Sequence, residues 1–394
     1  MHESKSGRPS RRSALLLTTV VMAIACDHFA ALAKDHGYTV IYTFGQNGDA
    51  NQPKGGLLRD TSGNLFGTTV GGGSHNKGAV FELAADGSES VLYSFCSQEN
   101  CDDGQQPLGA LIEDGSGDLF GTTSEGGDDA GGVAFEVPNN GAEKTLFQFG
   151  PTTGEEPTPT LVRDSEGNLY GTDEIGDPSN MGLVFQLTSG GTENVLYDFS
   201  GTNGENPEAG LIMDKSGNLY GTTSEGGAYG YGEVFELAAN GSEYVLYSFT
   251  GGTDGRAPVA PVTMDAAGNL YGTTYAGGHG SGVVFELAPN GTETVLYTFA
   301  EGDDGGQPEN GVILDKQGNL YGTTGTHGAS GDGVVFRIDR HGGETVLHTF
   351  TGGSDGANPG PLIWGAGDKK NFLYGMCMHG GYDNEDGLIF MLKK

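Results

Sequence analysis

Four histidines stand in glycine-rich stretches of this chain: His75, His279, His327 and His379. Imidazoles that converge would make an acid–base or metal centre. Tyr275 and Tyr382 occupy the same kind of stretch, as do Tyr229 and Tyr231. Phenol rings on an exposed rim suit stacking against sugars, and Gly-Tyr stretches also occur as plain turns. A third set is acidic. Asp254, Asp304 and Asp355 each precede a glycine, as Asp103 does, with Glu155, Glu156 and Glu205 in related loops. Calcium takes such ligands but needs roughly six to eight oxygens, more than one or two carboxylates per loop supply. The Asp-Gly pairs read equally as turns. His-Glu-x-x-His, a phosphate loop and paired Cys-x-x-Cys motifs are all missing from the sequence.

What must position these residues is a repeat. The stretch Gly318-Asn319-Leu320-Tyr321-Gly322-Thr323-Thr324 recurs, whole or altered, in seven places. Its second glycine falls at Gly67, Gly121, Gly171, Gly221, Gly272, Gly322 and Gly375. A fixed period of about 50 residues marks a repeat architecture. The unit starting at Pro207 reads as four strands: a over 211–214, b over 219–223, c over 233–237 and d over 244–249. Turn residues Asp214 to Asn218 separate a from b, and the hairpin signal Asn240-Gly241 separates c from d. One proline per unit (Pro53, Pro107, Pro157, Pro207, Pro258, Pro308, Pro359) stands at the entrance of strand a, where it removes no ladder hydrogen bond.

Four short strands in each of seven units predict an all-β fold, a seven-bladed β-propeller with four antiparallel strands per blade. Apolar runs such as Val283-Val284-Phe285 suit sheets covered on both faces. Glycine inside strand b, as at Gly221, is costly in an isolated strand and is expected where neighbouring blades approach closely. The chain ends agree with a closed ring. The last unit has a (361–364), b (372–377) and c (388–392), then stops without d, while 38–44 stands alone with the sequence of a d strand. The N-terminal strand is therefore expected to complete the last blade, in a single domain over 34–394. A linear solenoid would instead carry polar capping repeats.

This unit resembles the bacterial GloVer tandem repeat, named for Gloeobacter and Verrucomicrobia. The resemblance rests on Gly-Asn-Leu-Tyr-Gly-Thr-Thr, then Gly-Gly, Gly-Val-Val-Phe-Glu-Leu and Thr-Val-Leu-Tyr-Thr-Phe, and covers 38–394. It implies propeller-like architecture and export, and it carries over no catalytic residue. The last unit departs from it, with Asp368 to Phe372 in place of the tidy turn and Met376-Cys377 in place of Thr-Thr. The third unit has Asp173 in a Thr slot.

Composition narrows the partners. The 394 residues carry a formal charge of −33, which repels nucleic acid and anionic membrane surfaces. Arg8, Arg11 and Arg12 precede an apolar run over 14–25, and Ala31-Leu32-Ala33 is a cleavage pattern. Residues 1–33 thus read as a signal peptide, its apolar run too short for a transmembrane span. Cys26, after Ala23-Ile24-Ala25, offers a lipid anchor as the alternative. Export permits disulfides, and Cys96 and Cys101 are close enough in sequence to pair. Cys377, left over, reads as a small buried residue.

In an antiparallel blade the b–c and d–a loops share one end of the ring. They are longer and more varied than the a–b and c–d turns, so that end is the expected working face. The four histidines fall in units one, five, six and seven, consecutive around a closed ring, though at unequal distances from the strand-b glycine. Two readings remain open. One is an exported, monomeric scaffold that binds an extracellular carbohydrate or a cell-surface protein on this face, with calcium the ion that its acidic loops would suit. The other is a polysaccharide lyase or glycoside hydrolase with its site on blades five, six, seven and one.

Overall fold

The computed structural model describes residues 37–45, 50–139, 143–151, 153–158, 160–175, 180–278, 280–381 and 386–394. The proposed signal segment with Cys26, together with His279 and Tyr382, lies outside the described residues. The described strands form seven separate antiparallel sheets, the blades of a seven-bladed propeller. Blade four is typical: Ile212–Met213 pairs with Leu219–Thr223, which pairs with Glu233–Leu237, which pairs with Glu243–Ser248. No helix among the described residues is long and apolar enough to cross a membrane.

Strand a is shorter than the four residues expected, only two in each blade. The cause lies just upstream. The residue before each once-per-unit proline is left-handed: Gln52, Gln106, Glu156, Asn206, Ala257, Gln307 and Asn358 have φ between 51 and 59°. That kink breaks the ladder before strand a begins. In blades one, three and seven the segment carrying the kink (Ala50–Pro53, Glu155–Pro157, Ala357–Pro359) pairs with the far end of strand b instead.

The ring closes as the chain ends predict. Tyr38–Thr43 runs antiparallel to Leu388–Lys393, from Tyr38 opposite Leu392 to Thr43 opposite Leu388. One phenylalanine pair then repeats at every seam. The Phe that ends strand d of one blade meets the Phe of strand c in the next: Phe95–Phe135, Phe149–Phe185, Phe199–Phe235, Phe249–Phe285, Phe299–Phe336 and Phe350–Phe390, at centroid distances of 4.9–5.4 Å. The seventh is Phe44–Phe81 at 5.1 Å, supplied by the N-terminal strand. Such edge-to-face pairs add roughly 0.5–1.5 kcal/mol each beyond the area they bury.

The strand-b glycines serve a different purpose from the one expected. A Cβ on Gly67, Gly121, Gly171, Gly221, Gly272, Gly322 or Gly375 would lie 2.5–2.8 Å from Cζ of a phenylalanine. That ring belongs to strand c of the same blade, directly opposite in register, as Gly221 is opposite Phe235. The close approach is therefore within the blade. Contact between blades passes through the next residue. Thr68, Thr122, Thr172, Thr222, Thr273 and Thr323 each donate from Oγ1 to a backbone carbonyl at the entrance of the following blade, over 2.7–3.2 Å. In blade seven Met376 holds this slot and has no hydroxyl to donate.

Candidate functional site

Backbone bridges between Gln105 and Glu125, Glu205 and Glu225, Arg256 and Ala276, and Gly306 and Thr326 tie each d–a loop to the b–c loop of the blade that follows it. These loops share one face, as antiparallel strands require. On that face the acidic loop residues turn inward upon their own loops. Asp254 accepts hydrogen bonds from Tyr247 Oη (3.0 Å), Thr250 N (2.7 Å), Thr250 Oγ1 (2.6 Å) and Gly252 N (3.2 Å). Burial pushes its carboxyl up, but bonds from Thr250 and Tyr247 outweigh it and hold it below the usual range. Asp304 repeats the arrangement with Tyr297 Oη, Ala300 N and Gly302 N. Asp355 accepts from Thr351 and lies 3.5 Å from His348 Nε2. These carboxylates fasten the outer strand to the loop. Among the described residues no group of three or more His, Cys, Asp or Glu side chains is placed to hold a metal ion.

Three of the four candidate histidines are among the described residues. His75 is exposed, and His379 pairs with Ala357 at the edge of blade seven. His327 has φ 63° at a position where blade four has Gly226, and its Nδ1 lies 2.9 Å from Thr326 Oγ1. Cys96 and Cys101 are disulfide-bonded and Cys377 is a buried free thiol. The pair closes a loop with a sequence separation of 5. Reduction is therefore expected to lower stability by less than the ~3 kcal/mol associated with a 15-residue loop, a difference that urea unfolding with and without reductant would measure.

Tyr275 is the residue from the sequence reading that lines a cavity. A cleft of about 470 Å³ is bounded by Glu208, Ser224, Glu225, Ala257, Val259, Tyr275 and Glu309, from blades four, five and six. It lies where the chain enters the innermost strands. Ser224 Oγ donates to Glu208 Oε1 (2.5 Å) and to the Asn206 carbonyl (3.2 Å), which orients the Glu208 carboxylate. The Tyr275 backbone donates to the Ala257 carbonyl (2.9 Å), which ties the two backbones together. Burial pushes the Glu309 carboxyl up, while Lys54 from blade one pulls it down. Glu174 is raised by burial and by its neighbours Glu208 and Glu156, so the acidic collar continues into blade three. The site can stack an apolar ring face on Tyr275 and accept hydrogen bonds at three carboxylates.

One lining position departs from the repeat at blade five. Six of the seven left-handed residues before the prolines are Asn, Gln or Glu; the seventh is Ala257. A methyl is smaller than any of those polar side chains. Alanine gains nothing from left-handed backbone and is strained there, and such strain concentrates at functional sites. Glu208, Ser224, Glu225, Ala257 and Glu309 were not singled out from the sequence. Ala257 alone had a signal, visible when the seven pre-proline residues are aligned.

The propeller fold recurs in solved structures of low identity. The chain is similar to puromycin hydrolase (TM-score 0.53, 13% identity), covering 85% of this chain and 52% of that one, so it spans about half that protein's length. It is also similar to XC5397 from Xanthomonas campestris, described as a gluconolactonase (TM-score 0.47, 13% identity, 93% and 92% covered). A third is an α-L-arabinanase from Penicillium chrysogenum complexed with arabinobiose (TM-score 0.48, 12% identity, 91% and 98% covered). No curated protein matches the chain. The Gloeobacter/Verrucomicrobia repeat matches residues 29–216 and 189–390, and the chain belongs to that repeat family.

Proposed function

We propose that this is an exported propeller that binds a neutral or cationic glycan in the cleft of blades four, five and six. The observation that carries the reading is that cleft, with Tyr275 on one wall and Glu208, Glu225 and Glu309 around it. A pyranose presents an apolar face for the ring and hydroxyls for the carboxylates, while an acidic polymer meets a chain of charge −33. The sector differs from the histidine-bearing one of the sequence reading, sharing with it blades five and six. Export rests on the N-terminal pattern and suits the Cys96–Cys101 bridge.

Ala257→Gln tests the reading without disturbing the repeat, since Gln52, Gln106 and Gln307 already occupy this position in other blades. The variant is expected to fold with an unchanged melting temperature and to lose glycan binding in calorimetric titration. Tyr275→Ala should weaken binding several-fold to about tenfold, on the scale of an aromatic contact. Full affinity in Ala257→Gln sinks the proposal.

A second reading, a glycoside hydrolase or lyase in the same cleft, is favoured by the raised carboxyl of Glu309. Burial moves that carboxyl in the direction a general acid requires. Turnover in a polysaccharide screen that disappears in Glu309→Gln would establish it.

A further inference from the structure

The b–c loop of blade four carries two aromatic rings that the cleft does not use. This loop, over 224–232, begins with the cleft residues Ser224 and Glu225 and continues to Tyr229 and Tyr231. Both rings stand in solvent, Tyr229 being 61% and Tyr231 41% exposed. Blade two has a loop of the same length that opens with the same residues, Ser124-Glu125-Gly126-Gly127. It has Asp129 and Gly131 where blade four has the tyrosines, so the loop frame does not need the rings. Two large rings left in water on one loop add nothing to the core, and grouped exposed aromatics mark a contact surface.

The Tyr231 ring has a seat. A Cβ added to Gly251 would lie 2.7 Å from its Cδ2 and Cε2 and 2.8 Å from its Cζ. The ring therefore rests on bare backbone with its remaining surface open. In the other blades the residue at this place is Lys77, Gly131, Met181, Ser281, Asp332 or Asp386. Blade four alone puts a flat ring there.

Backbone bonds tie this seat to the cleft. Ala257 N donates to the Tyr231 carbonyl (3.0 Å), and Tyr275 N donates to the Ala257 carbonyl (2.9 Å). Two such spacings keep the Tyr231 and Tyr275 main chains within roughly 10 Å of each other. Tyr275 lines the cleft, while the Tyr231 ring leans toward Gly251, just past the end of the outer strand.

We propose that Tyr231, with Tyr229 beside it on the loop, is a second sugar-stacking site, and that the ligand is an extended glycan chain running from the cleft outward over loop 224–232. The second site rests on the glycan reading of the cleft and adds ligand length to it. One sugar of the chain stacks on Tyr275 with its hydroxyls at the carboxylates, and a later sugar lies on Tyr231. Once the first contact is made the second is intramolecular, so affinity grows with chain length. A ring already seated gives up little conformational freedom when it binds.

The test is NMR titration of the full chain with glucose, cellobiose and cellotetraose, and with glucosamine, its disaccharide and its tetrasaccharide. The chains compared are the wild type, Tyr231→Ser, Tyr231→Phe and Tyr275→Ala. Serine is the residue of blade five at this place, so Tyr231→Ser should fold. In one series the wild type is expected to bind the tetrasaccharide several-fold to about tenfold more tightly than the single sugar, on the scale of an aromatic contact. Tyr231→Ser should lose that gain and Tyr231→Phe should keep it, whereas Tyr275→Ala should weaken binding at every length. A wild type that binds all lengths alike, or a gain that survives in Tyr231→Ser, overturns the second site and leaves the cleft reading standing. No binding in either series removes that reading and the second site with it. Should Tyr231→Ser fail to fold, the wild type decides. Amide shifts at Tyr231 and Gly251 with the tetrasaccharide and not with the single sugar support the second site, and any other pattern overturns it.

Discussion

A chain with residues 34–44 deleted is expected to lose its cooperative thermal transition and to aggregate. Three contributions leave together. The strand Leu388–Lys393 loses its partner over its length, exposing a sheet edge that pairs readily with other chains. The Phe44–Phe81 contact goes, and with it the seam between blades seven and one, which already lacks the threonine hydrogen bond of the other six. Tyr38 leaves the aromatic cluster in which it stacks on His348 at 3.8 Å and packs against Phe390. Phe44→Ala alone should cost about 3–5 kcal/mol, since its side chain is fully buried. That is a large part of the roughly 5–15 kcal/mol by which domains are stable. Calorimetry and light scattering check this, with a synthetic 34–44 peptide added in trans as a rescue. An unchanged melting temperature would mean that the N-terminal strand does not close the ring.

Gly221→Ala is expected to destabilise by about 1–3 kcal/mol, the range for overfilling a packed core. The new Cβ would lie 2.7 Å from Phe235 Cζ and 2.8 Å from Leu211 Cδ2, and both side chains are buried. Phe235 cannot withdraw without losing Phe199, its partner across the seam. Gly115→Ala, in a turn with nothing within 4 Å, is the control and should be nearly neutral. Urea midpoints of the two variants separate packing from glycine's general effect on the unfolded chain. Equal midpoints would remove the Gly–Phe pair from the account.

The blades were legible because short apolar runs bounded by glycine-containing turns recur in seven units, and the closure because the last unit lacks the d strand that stands alone at 38–44. The strand-b glycine was legible as a close approach, but its partner was not, because the spacing between Gly221 and Phe235 becomes contact only once register is set. The Asp-Gly loops left two readings open for a similar reason. Only the folded backbone shows Thr250 and Gly252 donating to Asp254, which is the turn reading of this pair. The cleft was hardest to see. Its lining includes the small Ala257, and a small side chain leaves no motif. Tyr275 was legible as an aromatic on the loop face, whereas Glu208 and Glu309 were two acids among 52.

The central claim is that the cleft of blades four to six receives a glycan. The most direct test is a glycan array of neutral, amino and acidic sugars on the mature protein, followed by backbone NMR titration with the best-bound oligosaccharide. The account predicts binding of a neutral or amino sugar, with shifts concentrated at Ser224, Glu225, Ala257, Val259 and Tyr275 and abolished in Ala257→Gln. Shifts confined to the a–b and c–d turns, or spread equally over all seven blades, would contradict it.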